Sequence, residues 1–239
     1  MINDISVIMK ELKNLGDEQI KHIYIKHGAK EPLYGVTTGK LKPIVKKIKK
    51  NYKLSMELYE TGNYDAMYLA GMIAEPDKMS KTDFDKWIKE AYCYGIADYV
   101  VSVTLAKSPY AQKMADEWIK SDKELYAAAG WACYCWLISY QKDSFFEKEK
   151  LHGYLKEVEK NIHSRPNRVR YAMNNFVITI GISYKPLHKE ALEVAKKIGK
   201  VFVHMGETSC KTPIATEYIQ KAIQKQRIGF KRRNIRCKK

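Results

Sequence analysis

Apolar side chains return every three or four residues along almost the whole of this chain, as in Ile5, Ile8, Met9 and Leu12 near its start and Ala191, Val194, Ala195 and Ile198 towards its end. That interval matches the 3.6-residue helical period and gathers each set on one stripe of a helix, whereas the two-residue alternation of a half-buried strand is scarce. An all-α fold is expected. Pro32, Pro43, Pro76, Pro109, Pro166, Pro186 and Pro213 punctuate the pattern. They are expected at helix starts or in links, where a missing N–H does least harm.

An internal echo suggests how the helices are ordered. Asp85-Lys86-Trp87-Ile88-Lys89 returns 31 residues later as Asp116-Glu117-Trp118-Ile119-Lys120, each time late in an expected helix. The offset suits a helix-pair repeat, which in HEAT and armadillo proteins runs ~40 residues or somewhat less. Stacked pairs share one continuous core, so 239 residues do not force two domains. The expectation is a right-handed α-solenoid of HEAT-like helix pairs with a basic concave face, one domain over residues 1–225 and a basic C-terminal tail over 226–239. In Ala127-Ala128-Ala129-Gly130-Trp131-Ala132-Cys133 small side chains would let a neighbouring helix come close while Trp131 and Trp136 fill the remaining volume. That marks a central, doubly covered helix, with Trp131 read first as core and second as a base-stacking aromatic.

Charge narrows the function. Against 27 acidic residues stand 43 Lys and Arg, a formal net charge of +16 whose self-repulsion a polyanionic partner would relieve. The five cysteines, Cys93, Cys133, Cys135, Cys210 and Cys237, lack the even, regular spacing of a secreted disulfide framework and fit a reducing compartment. Cys133 and Cys135 point about 200° apart on a helix, at ~100° per residue, and cannot grip one metal. No secretory pattern opens the sequence, and the apolar run over 127–138 falls short of the ~20 residues that cross a bilayer. A cytoplasmic location away from membranes is expected.

Four segments carry candidate chemistry. Lys40, Lys42, Lys46, Lys47, Lys49, Lys50 and Lys53 crowd one short stretch with no acid among them, just after Tyr34-Gly35-Val36-Thr37-Thr38-Gly39. The threonines there could cap a helix or bond a phosphate oxygen. In Ser164-Arg165-Pro166-Asn167-Arg168-Val169-Arg170, Ser164 is the expected N-cap, and arginines in the first turns oppose the helix dipole unless an anion sits nearby. Arg170 and Asn174 share a face, joined by Asn167. Met205-Gly206-Glu207-Thr208-Ser209-Cys210-Lys211-Thr212-Pro213 could cradle one phosphate ahead of a helix expected to begin at Pro213. It lacks the second glycine and the strand of a P-loop, which excludes a nucleotide triphosphatase. From Lys221 onward come Lys225, Arg227, Lys231, Arg232, Arg233, Arg236, Lys238 and Lys239 without an acid, the make-up of an arm that tracks a nucleic-acid backbone.

Catalytic constellations are thin. The histidines at 22, 27, 152, 163, 188 and 204 show neither paired metal spacing nor a link to a nucleophile. Asp98 stands inside an apolar and aromatic segment where its charge would be costly, as either a helix cap or a site carboxylate.

Taken in order, Tyr34-Gly35-Val36 leading to Leu41, Ala97-Asp98-Tyr99-Val100, Trp118-Ile119-Lys120-Ser121-Asp122, and Tyr171-Ala172-Met173-Asn174-Asn175-Phe176 through Ser209-Cys210-Lys211 resemble the DNA alkylation repair family, the AlkD-like glycosylases and their relatives built from HEAT-like helix pairs. The resemblance implies duplex DNA on a concave basic face and, in active members, excision of alkylated bases without a cofactor. That family's active pattern reads Trp-Asp-x-Val-Asp. With Asp98 matched to its first acid, Ala97 stands where the tryptophan belongs and Val101 where the catalytic acid belongs. Ala128 falls where an arginine is expected and Phe176 where a later tryptophan is. The leading expectation is a monomeric, DNA-binding, non-excising relative whose Lys40, Lys42, Lys46, Arg168, Arg170, Asn174 and Lys211 meet the DNA. The alternatives are an active alkylpurine glycosylase, with Asp98 as its acid and Trp131 and Phe176 beside the lesion, and a protein-interaction scaffold.

Overall fold

A computed structural model describes residues 4–232. All regular structure among them is helical, and they fall into two compact units. One runs to Tyr110 and takes in Gly206–Ser209; the other spans Ala111–Met205 and continues from Cys210.

The first unit contains α1 (Ile5–Leu15), α2 (Glu18–Lys26), α3 (Thr38–Ile48), α4 (Tyr52–Glu60), α5 (Tyr64–Ile73), α6 (Lys81–Glu90), the single turn α7 (Tyr94–Ile96), a π-helical turn (Ala97–Val101) and α8 (Ser102–Leu105). Each of the first six starts on a side chain that accepts a backbone N–H: Asp4, Asp17, Thr37, Asn51, Asn63 and Ser80. Such caps satisfy donors that a helix leaves open at its first turn. At Ser80 the cap is reciprocal, with Asp83 reaching back to the Ser80 N–H. Buried Leu41, Ile44, Leu54, Leu58, Phe84 and Trp87 build the core, where Trp87 stacks on Tyr59 at 4.2 Å.

The second unit contains α9 (Ala111–Ile119), α10 (Glu124–Tyr140), α11 (Lys148–Asn161), α12 (Asn167–Ser183), α13 (His188–Ile198) and α14 (Ala215–Gln224). Helix α9 packs on α10, α10 on α12, and α12 on α13 and α14. Helix α10 is the doubly covered element anticipated from its small residues. A methyl group at Gly130 would lie 2.8 Å from the Ala115 carbonyl oxygen, so α9 and α10 touch backbone to backbone. The echoed Trp87-Ile88 and Trp118-Ile119 pairs are all buried and sit late in α6 and α9.

Three expectations about helix boundaries fail. Pro43 lies inside α3 rather than at its start, which removes the helical donor for the Gly39 carbonyl on an exposed part of the helix. Ser164 closes a 3-10 turn, with its hydroxyl on the Asn161 carbonyl, and α12 starts after Pro166 instead. Helix α14 begins at Ala215, because the Pro213 carbonyl is held by the Asn174 side chain at 2.8 Å. No helix among the described residues is long and apolar enough to cross a membrane.

Candidate nucleic-acid interface

In the first unit the Tyr34-Gly35-Val36 turn aims three successive N–H groups at one point, the geometry of an anion nest. The nest is filled from within. Asp65, 1% exposed in the first turn of α5, accepts from Tyr34 at 2.6 Å, Gly35 at 3.2 Å and Val36 at 2.7 Å. Burial pushes its carboxyl above the usual aspartate range, and the three N–H donors pull it back. Gly35 has φ +79°, and a methyl group there would lie 2.3 Å from the Asp17 carbonyl oxygen, so only glycine fits. The Tyr24 hydroxyl closes the turn on the Val36 carbonyl at 3.3 Å, and burial raises its pKa to about 12.

This turn delivers the chain to Thr37, whose hydroxyl caps α3. Its threonine is therefore committed to the helix. The basic stretch beyond it divides by role. Lys40 donates to the Leu15 carbonyl at 3.0 Å, Lys47 pairs with Glu11 at 3.3 Å, and Lys50 closes the end of α5 through the Met72 and Ala74 carbonyls. Lys42 and Lys46, one turn apart, stand exposed on the face opposite buried Leu41, Ile44 and Ile48. They are the two cations of α3 best placed for an external phosphate.

In the second unit, sequence reasoning looked for an anion at the start of α12, and the structure supplies Glu124, whose carboxylate accepts from the Arg168 N–H at 2.6 Å. Arg168 itself is only 8% exposed. Its guanidinium stacks on Tyr171 at 4.5 Å and reaches the Met205 sulfur at 3.9 Å, so it faces the unit's interior rather than a partner. Arg170 is half-buried, bonded to Asn167 at 3.4 Å. Asn167 clamps His204, donating to its carbonyl at 2.8 Å and accepting from its N–H at 2.7 Å. Fully buried Asn174 holds Pro213. These two asparagines thus tie His204 and Pro213 to α12, a role with no local sequence signature, and exposed Lys211 precedes Pro213 by two residues.

The aromatic residues assigned to a lesion are core. Trp131 and Phe176 are both 0% exposed, edge to face at 5.0 Å, where no nucleobase reaches them. Next to them lies a hub that sequence reasoning missed: Asp116 accepts from the Tyr134 and Tyr154 hydroxyls and pairs with Lys150, each at 2.5 Å, tying α9, α10 and α11 together. In the first unit Asp98 is 6% exposed within the π-helical turn, flanked by fully buried Ala97 and Val101. It is not a helix cap. The basic tail begins as a docked segment: Gly229 N–H meets the Ile182 carbonyl at 2.7 Å, Lys231 the Ile138 carbonyl at 2.7 Å and Asp143 at 2.9 Å, and Arg232 N–H the Ser139 carbonyl at 2.7 Å. Arg233, Arg236, Lys238 and Lys239 lie outside the described residues.

Residues 8–219 match the family described as DNA alkylation repair enzyme. This chain belongs to that family. Among proteins similar to this DNA alkylation repair family member are uncharacterized proteins of Listeria innocua and Listeria monocytogenes, 36% and 35% identical over 222 residues, covering 89% of this chain and 94% of each of them. A solved structure is 51% identical with a TM-score of 0.93, covering 98% of this family member and 100% of that chain. That protein is described as one of a new family related to the HEAT-like repeat DNA glycosylases, with affinity for branched DNA structures. An all-helical, HEAT-like fold is therefore common to both.

Proposed function

We propose that this chain binds branched duplex DNA through phosphate contacts, as a cytoplasmic monomer, and does not excise bases. The observation that carries the reading is the 51% identity, over nearly the whole of both chains, to a protein described by its affinity for branched DNA. The net charge of +16 supplies sequence-independent attraction, and exposed Lys42, Lys46 and Lys211, with Arg170 beside Asn167, are the side chains we assign to phosphates. Against excision stand the π-helical turn, where buried Val101 can neither position a water nor stabilise a sugar cation, and the burial of Trp131 and Phe176. Asp98 is the one acid left at that turn.

The test measures affinity for a three-way junction and for linear duplex across a range of salt, together with base release from methylated duplex. The expected result is preference for the junction, a log–log salt slope that falls by about one unit per phosphate-contacting lysine removed, and no released base. Equal affinity for junction and duplex would overturn the branched-DNA assignment. Base release lost on Asp98→Asn would make the protein a glycosylase.

A further inference from the structure

The most exposed large apolar side chain of the described residues is Phe202, 68% open to solvent. It comes just after the end of α13, where Gly199 takes φ +56° and turns the chain into a run without regular structure. Along that run burial alternates. Val201 and Val203 are 2% and 6% exposed, whereas Lys200, Phe202 and His204 face outward in one row. The two valines anchor the inner side, and the paired Asn167–His204 bonds fix the register at the far end. Just before the run, the His163 ring meets the Ile198 carbonyl at 2.9 Å. The phenyl ring is thus presented by a backbone that cannot easily fold it away, although shielding it would lower the free energy of the isolated chain. A lone exposed aromatic is ordinary on a mobile loop; on a doubly anchored strap it asks for a partner. The flanking charge indicates which. From 200 to 213 the sequence holds Lys200 and Lys211 against the single acid Glu207. An exposed aromatic with lysines on the same strap is the make-up by which proteins hold the π-face of an unpaired base while tracking its phosphates.

We infer that Phe202 stacks on an unpaired base at the branch point of DNA, with Lys200 and Lys211 on the adjoining phosphates. The inference rests on the branched-DNA reading and narrows its substrate to junctions that expose unstacked bases. It is tested with full-length wild-type protein, Phe202→Ala, Phe202→Leu and Phe202→Trp on three DNAs: a three-way junction with two unpaired bases at the branch, one of them 2-aminopurine; the same junction fully paired; and linear duplex. Because Phe202 is exposed, all variants should melt with the wild type. Alanine and leucine should weaken binding to the first junction about tenfold, leave linear duplex within twofold and abolish the change in 2-aminopurine fluorescence, while tryptophan restores both. Wild-type junction affinity and fluorescence response in Phe202→Ala would overturn the stacking role and leave branched-DNA binding intact. An equal loss on all three DNAs would also overturn it, since a contact blind to unpaired bases is not stacking. If wild-type protein shows no preference for either junction over duplex, the underlying reading fails and this one with it.

Discussion

A single carboxylate decides how the first unit begins. Without Asp65 the N–H groups of Tyr34, Gly35 and Val36 would converge on an empty, buried point, and an unsatisfied buried donor costs roughly 1–3 kcal/mol. Asp65→Asn keeps one acceptor oxygen, which can serve Tyr34 and Gly35, but turns an amide N–H₂ against the Val36 donor. It also removes the cost of burying a charge, which opposes the loss. Losing a bond to a charged group and leaving one donor unpaired outweighs that relief, so the variant should be less stable by about 2 kcal/mol, read as a lower urea midpoint at unchanged slope. An unchanged midpoint would show that the nest needs no anion. The turn was legible in the sequence through Gly35 and the cap at Thr37, but its occupant was not, because Asp65 lies 30 residues from Gly35 and looks like any acid in a first helical turn. The same limit applies to Arg168. Its position in the first turn of α12 was foreseen, while the internal anion Glu124 and the stacking on Tyr171 come from tertiary structure.

At the level of elements, the first helices are the ones whose starts are fixed by local chemistry. The residues Asp17, Thr37, Asn51, Asn63 and Ser80 cap α2 to α6 through bonds spanning two or three positions, and such bonds are visible in sequence. Helices α10 to α14 have no side-chain cap bond, which is why Ser164 and Pro213 misled. Their ends are set by distant groups: Glu124 for α12 and Asn174 for the approach to α14. The strap is the extreme case, its His204 and Pro213 held by two asparagines on a helix 30 or more residues earlier. Asn167→Ala deletes both bonds to His204 and should cost about 2 kcal/mol at ~1 per bond. Its more specific effect is local. With the clamp gone the strap should open without global unfolding, so trypsin should cut after Lys200 and Lys211 well before the rest of the chain. Cleavage at the wild-type rate would mean that Val201, Val203 and the Asn174 bond to Pro213 hold the segment without Asn167.

For the molecule as a whole, two electrostatic terms oppose each other as pH rises. The charge of +16 falls as lysines lose protons, which relieves self-repulsion and favours the folded state. The tyrosines act the other way. Burial is the leading cause that raises Tyr24 to about 12, and it also raises Tyr59, Tyr64, Tyr92, Tyr134 and Tyr154 above the ordinary 10.0, with Asp116 adding to the last two. Each stays protonated in the folded chain while its unfolded counterpart ionises. Their contribution is thus complete below about pH 10 and is lost as pH rises through the folded values. A fully shifted tyrosine removes ~1.4 kcal/mol of stability per pH unit over that window. Exposed lysines return only a fraction of that each, because solvent and salt screen their mutual repulsion. The tyrosines should therefore win: the urea midpoint should hold or rise slightly from pH 7 to 9.5 and then fall steeply between pH 10 and 12. Absorbance at 295 nm supplies the independent check. In the folded protein Tyr24, Tyr59, Tyr64, Tyr92, Tyr134 and Tyr154 should hold their protons past pH 10 and ionise in one cooperative step that coincides with loss of helical circular dichroism. If all ionise smoothly near pH 10 with the helices intact, the hydroxyls of Tyr59, Tyr64 and Tyr134 are reached by solvent, and the tight packing of Tyr59 on Trp87 and of Tyr134 beside Phe176 would have to be abandoned.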